Sequence, residues 1–103
     1  MSKPRFKIRY LRSAEDDLYG IADYISEDNP RAANRMIDRL EQSIIRLELS
    51  PFAGKLPDDD ELRRRSYRML IVGKYLVFYK IKETAVEIHR IIHGARDYKH
   101  LLI

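Results

Sequence analysis

Four arginines and three histidines, all beyond residue 64, set the chemistry open to this chain. Arg65, Arg68, Arg90 and Arg96 could present a cation to a phosphate, while His89, His93, His100 and Tyr98 could move a proton. Those types together suffice for metal-free cleavage of RNA. One group takes the 2′-hydroxyl proton, a cation meets the charged phosphorus intermediate, and an acid serves the leaving oxygen. Histidine suits such work because its pKa lies near the working pH. Each histidine alone also reads as an ordinary structural residue, and a basic domain of this size collects such a mix by chance. Tyr67, Tyr75, Tyr79 and Tyr98 could stack on bases, but the first three read as common strand residues.

Other chemistries find less support. The sequence has no phosphate-cradling glycine loop, nucleophile elbow or HExxH helix. It has no cysteine, which excludes a disulfide scaffold, a thiolate metal site and a cysteine nucleophile. His89 and His93 on a strand would share one face at a separation of about 13 Å, too far to hold one metal. Neither a metal nor a cofactor is expected. The apolar runs are only a few residues long, and the basic start has no apolar stretch, so neither a membrane span nor a signal peptide is expected. A single cytosolic domain fits the 103 residues.

The net charge of +4 hides a strong division. Residues 1–12 carry a net +5, residues 13–61 a net −8, and residues 62–103 a net +7. Elements read from periodicity explain the split. Arg5 to Tyr10 alternates as a half-buried strand. Ser13-Ala-Glu-Asp16 reads as a helix start with Ser13 as cap, followed by Leu18, Ile21, Ala22 and Ile25 on one face. Asn29-Pro30 ends that helix and opens another, capped by Asp28 or Asn29. Its stripe of Ala33, Met36, Ile37, Leu40, Ile44 and Leu47 reads as core and runs to Ser50-Pro51.

Pro51 to Glu61 reads as an exposed loop with a solvated acidic run. Three strands come next, over 67–72, 75–81 and 86–93, joined by Gly73-Lys74 and a second turn at 82–85. The middle one is apolar on both sides and should be central. This order predicts an α+β domain: an N-terminal strand, an antiparallel helical hairpin, then a three-stranded antiparallel meander with the hairpin on one sheet face. The basic segments are the strands, so the other sheet face is the candidate basic surface, and the apolar tail Leu101 to Ile103 should dock on something.

Two segments, Gly73-Lys-Tyr-Leu-Val-Phe-Tyr79 and Val86-Glu-Ile-His-Arg-Ile-Ile-His-Gly-Ala-Arg-Asp97, resemble toxins of the RelE/ParE superfamily, the toxic halves of type II toxin–antitoxin modules. The helix start at Ala14 to Leu18, Tyr24-Ile25, and Ser50-Pro51 with Gly54 are similar to the ParE branch as well. The resemblance covers nearly the whole chain and implies the strand and helix order derived above. It further implies a hetero-oligomer with a cognate antitoxin, whose partly disordered acidic segment wraps the toxin.

On mechanism the superfamily divides. RelE-like members cleave messenger RNA on the ribosome, whereas ParE-like members block DNA gyrase and lack the nuclease's acid–base set. His93-Gly-Ala-Arg96-Asp97 resembles the second branch, which implies a gyrase-binding toxin. Tyr98 and His100 keep the alternative, a ribosome-dependent endoribonuclease, because some nuclease members place such residues near the C-terminus. Arg65, Arg68, Arg90, His93, Arg96 and Tyr98 are the expected surface for target or antitoxin. Arg68, Arg90, His93 and Tyr98 would be its catalytic subset if the protein cuts RNA.

Overall fold

The computed structural model describes residues 5–103, and the share of the basic start carried by residues 1–4 lies outside the described residues. The alternation at the N-terminal end yields strand β1 (Lys7–Tyr10), with Phe6, Ile8 and Tyr10 turned to the core. Helix α1 (Arg12–Ser26) begins at once, and the expected Ser13 cap is corrected here. The helix opens at Arg12, with Leu11 at the cap position and no side-chain cap. Ser13 thus falls inside the first turn, where its hydroxyl donates to the His89 carbonyl at 2.7 Å.

Helix α2 (Pro30–Ile45) starts as its sequence demands. Asn29 Oδ1 accepts the Ala32 amide at 3.1 Å, and Pro30 occupies the first turn, where no amide is needed. Ala33, Leu40 and Ile44 are buried, and a 3-10 turn, Arg46–Glu48, carries the buried Leu47 to the end of the apolar stripe.

The meander consists of β2 (Arg68–Val72), β3 (Tyr75–Lys82) and β4 (Ala85–His93), antiparallel throughout. Gly73 takes the left-handed conformation that the two-residue turn requires, at φ 59°. Sheet order is β1-β4-β3-β2, with β1 parallel to β4, so the sheet is mixed and both β3 and β4 are interior. The helical hairpin supplies the long crossover that a parallel pair needs. Its apolar stripes cover one face, over Val77, Tyr79, Val86, Ile88 and Ile91.

A bulge in β4 corrects the expected placement of two histidines. Tyr79 pairs with Ile88 while Phe78 pairs with Arg90, so one extra residue is inserted in β4. Because side chains alternate, one extra residue reverses the facing of the residues beyond it. His89 therefore lies edge-on to Tyr67 on the second face, while His93 lies edge-on to Tyr75, whose ring belongs to the hairpin-side core.

The stretch from Pro51 to Glu61 is not simply an exposed loop. Pro51, Gly54 and Pro57 are buried, and Lys55 exchanges backbone hydrogen bonds with Met69 on the edge of β2. The acidic run starts a short helix, α3 (Asp60–Arg64), in which Asp59 Oδ1 caps the Leu62 amide. A single helical turn is too short to show periodicity, which is why the pattern missed it. The second sheet face is likewise only partly open. Leu62 of α3, Tyr98, and Leu101 and Leu102 of the C-terminal helix α4 (Lys99–Leu102) close over Tyr67, Met69, Phe78 and Ile92. The apolar tail docks there, leaving the β1-proximal half of that face uncovered.

Candidate functional site

The arginines expected to serve a target are largely engaged within the chain. Arg90 leaves β4 next to the bulge and forks onto Asp17 of α1, Nε to Oδ2 at 2.8 Å and Nη2 to Oδ1 at 2.9 Å. Asp17 Oδ2 also accepts the Ile91 amide at 2.8 Å, and Arg90 Nη1 reaches the Leu101 carbonyl at 3.4 Å. The Asp17 hydrogen bond and charge hold Arg90 above its ordinary pKa against the opposing effect of burial. This is the two-point geometry in which guanidinium binds carboxylate best. It joins helix, sheet and tail.

Arg68 is committed to the loop before α3. Its guanidinium donates to the Gly54 carbonyl at 2.9 Å and the Phe52 carbonyl at 3.3 Å, and lies 5.2 Å from the Phe52 ring centre. Beneath it Tyr79 Oη donates to the Pro51 carbonyl at 2.8 Å and accepts the Gly54 amide at 2.9 Å. Only glycine fits there, because a Cβ on Gly54 would stand 2.6 Å from Tyr79 Oη. Arg65 binds Glu61 Oε2 through Nε at 3.2 Å and Nη2 at 3.1 Å.

His93 and Arg96 are the two expected site residues that the fold brings together. They line a groove with Asp16, Gly20 and Tyr24 of α1 and Tyr75 of β3. The turn after β4 sets their geometry: the Ala95 amide donates to His93 Nδ1 at 3.1 Å, and the Arg96 amide to the His93 carbonyl at 3.0 Å. Arg96 is exposed, and Tyr24 on the facing helix is 74 % exposed despite its size. Tyr98 stands apart, packed on Phe78 at 5.0 Å between ring centres. His100 lies on the exposed side of α4, 3.8 Å from Asp97.

A second cluster was not anticipated from spacing. On the second sheet face, Tyr67 Oη lies 3.4 Å from His89 Nδ1 and donates to the Leu102 carbonyl at 3.2 Å. His89 Nε2 lies 3.3 Å from Glu87 Oε1, and Lys80 Nζ sits 4.4 Å over the Tyr67 ring centre. With the ring proton on Nε2, where it donates to Glu87, Nδ1 is an acceptor that competes with the Leu102 carbonyl for the single Tyr67 hydroxyl proton. Burial pushes His89 below its usual pKa, the Glu87 hydrogen bond resists, and the Lys80 and Lys82 charges add to the depression. The pair is separated by twenty-two residues, and only the sheet register joins it; the i, i+2 alternation of Glu87 and His89 was the available signal. Among the described residues, no group of three histidine, aspartate or glutamate side chains is placed to hold a metal ion.

Comparison with known proteins places the chain among toxins of the RelE/ParE superfamily, and its strand, helical hairpin and meander agree with that class. The model of the ParE toxin of the type II toxin–antitoxin system parDE matches residues 8–98, and the chain belongs to that family. It is 36 % identical over 80 residues to the toxin RelE2 of Caulobacter vibrioides (strain ATCC 19089 / CIP 103742 / CB 15), covering 78 % of this chain and 85 % of the relative. Solved structures share the fold, two of them from toxin–antitoxin systems. A chain of the chromosomal ParDE system from P. aeruginosa superposes with a TM-score of 0.72 at 19 % identity, covering 88 % of this chain and 98 % of that one. A chain of the RelBE2 toxin–antitoxin complex from Mycobacterium tuberculosis does so with a TM-score of 0.61 at 23 % identity, covering 86 % and 98 %. Among the described residues, no helix is long and apolar enough to cross a membrane.

Proposed function

We propose that this type II toxin acts in the cytoplasm by binding DNA gyrase, without cutting RNA, and that a cognate antitoxin neutralises it. The observation that carries the reading is the internal engagement of the cations. Arg90 is held by Asp17, Arg68 by two carbonyls and Arg65 by Glu61. Metal-free cleavage needs a cation and a proton-transfer group converging on one phosphate. Arg96 is left exposed beside the half-buried His93, and this reading takes the two as a contact for a protein target. In this reading His93, Arg96 and Tyr98 meet the target, while Arg65, Arg68 and Arg90 hold the frame that presents them.

The antitoxin reading draws on the toxin–antitoxin complexes among the structural neighbours and on charge. An acidic disordered segment is attracted by the net positive charge of residues 62–103 and folds on contact. The competing reading is a ribosome-dependent endoribonuclease. It is supported by the Tyr67–His89 contact beside Lys80 and by the likeness to the toxin RelE2. One pair of assays separates them. Purified toxin is added to gyrase with relaxed plasmid, and to ribosomes translating a defined message. The gyrase reading expects supercoiling to stop and the message to stay whole. Cleavage within codons, with gyrase unaffected, would overturn it.

A further inference from the structure

We propose that the uncovered half of the second sheet face docks the phosphate backbone of duplex DNA, with Lys7, Arg9, Lys80 and Lys82 as the contacts. Sheet register builds the surface. Arg9 is aligned with Glu87 of β4, which is aligned with Lys80 of β3; Lys7 is aligned with Ala85, which is aligned with Lys82. Aligned residues share a face, and the opposite alternation, Ile8, Tyr10, Val86, Ile88 and Ile81, is the one buried under the hairpin. The four cations therefore stand as two pairs on one face, both before the bulge that reverses β4.

Among the described residues, none of the four lies within 4 Å of a carboxylate, although three of them are exposed. Glu87, the acid between the rows, is 3.3 Å from His89 instead. Burial, Lys82 and Arg65 together push Lys80 below the ordinary lysine pKa, against Glu87. A polyanion relieves that crowding.

Geometry and chemistry narrow the polyanion. The two cations of β1 are spaced by about 7 Å along the strand, and β1 and β3 stand about 10 Å apart across β4. Lysine and arginine side chains are long enough to reach outward from that spacing, so the two pairs can meet phosphates on both borders of a groove. Single strands are gripped largely by stacking their bases on aromatic rings. Here Lys80 lies over the Tyr67 ring, His89 meets that ring edge-on, and Tyr98 packs on Phe78. A peptide is commonly fixed by apolar anchors in pockets or by pairing with a free strand edge, whereas Ala85, the apolar member of the two rows, is buried and offers no pocket. A rigid array of cations without anchors or stacking platforms fits a duplex backbone. Its purpose rests on the gyrase reading, in which the target itself holds DNA, but the contact exists or fails without gyrase.

The test is fluorescence anisotropy of the full chain with a labelled mixed-sequence duplex, titrated at increasing salt in the absence of gyrase. Four phosphate contacts predict that log Kobs falls with log salt at a slope of about −3 to −4. Lys7→Ser with Arg9→Ser, and separately Lys80→Ser with Lys82→Ser, should each make the slope shallower by about two. Arg31→Ser with Arg35→Ser, at exposed positions of α2, should change nothing. The proposal falls if both patch variants bind the duplex as the parent does. It falls equally if an RNA strand of the same length binds as tightly, or if polyglutamate of matched charge competes equally. Supercoiling measured in parallel separates the two readings. Gyrase inhibition without duplex affinity overturns this inference alone, and duplex affinity with active gyrase overturns the gyrase reading alone.

Discussion

Arg90 of β4 and Asp17 of α1 form a two-point ion pair with both side chains mostly buried, at 21 % and 15 % exposure. The carboxylate also caps the Ile91 amide, so three donors converge on one acid seventy-odd residues away in sequence. An arginine that looks like a phosphate ligand in the sequence is therefore the rivet between helix and sheet.

Arg90→Ala should accordingly destabilise the fold by about 2 to 4 kcal/mol, because it leaves a largely buried carboxylate without its counter-charge. Asp17→Ala should cost a similar amount, and the double variant much less than the sum, since the same pair is lost once. Urea unfolding of the four proteins measures this. Additive losses would show that the two residues act separately.

The loop before α3 offers a second check. Gly54→Ala forces a Cβ to within 2.6 Å of Tyr79 Oη and 2.9 Å of the Met69 carbonyl, both parts of the interior. Overpacking of this kind costs about 1 to 3 kcal/mol. Tyr79→Phe leaves the Gly54 amide and the Pro51 carbonyl without their shared partner, which costs about 1 to 3 kcal/mol. Thermal melting should show both losses. An unchanged Gly54→Ala melting point would mean that the loop relaxes freely.

These features mark how far the sequence could be read. Alternation and the 3.6-residue stripe are local, so the α+β order, the hairpin with its Asn29 cap and the Gly73 turn were legible. The parallel pairing of β1, the bulge that sends His89 and His93 to opposite faces, and the α3 turn depend on long-range register. No short window records them. Arg68 and Arg90 stand out in the sequence as cations, but the carbonyls and the acid that hold them lie on other elements, whereas Glu61 lies only four residues before Arg65. Residue type shows a cation and says nothing of what already neutralises it.

Acid should weaken the fold through His89. Its pKa is lower folded than unfolded, so the unfolded chain takes up the proton first. The stabilisation is complete above the unfolded value of about 6.5 and is lost as the pH falls from there towards the folded pKa. Burial, Glu87, Lys80 and Lys82 set this balance, and His89→Gln should flatten the limb. At the alkaline end, burial and then Glu41 raise Tyr10 to about 12. The unfolded chain ionises first, so stability should fall between pH 10 and about 12, and Tyr10→Phe should remove part of that fall. Chemical denaturation across pH reads both limbs. An acid limb identical in His89→Gln would exclude His89 as its source.

The groove at the end of β4 separates presentation from support. Arg96 is exposed, while His93 is half-buried, with its ring edge-on to Tyr75 and its Nδ1 bonded to the Ala95 amide. Arg96→Ala should therefore melt within a few degrees of the parent, since exposed substitutions usually shift stability by less than about 0.5 kcal/mol, while His93→Ala should cost somewhat more because it removes the contact with Tyr75. If these two residues meet the target, each should weaken growth inhibition and gyrase binding by about tenfold, the loss typical of a moderate interface contact. Arg90→Lys supplies the contrast. It keeps the charge but loses the two-point geometry, so its toxicity should decline only in step with its measured stability. Dilution plating after induction, beside unfolding curves for each variant, reads both axes. Full toxicity in Arg96→Ala and His93→Ala would move the target contact away from this groove.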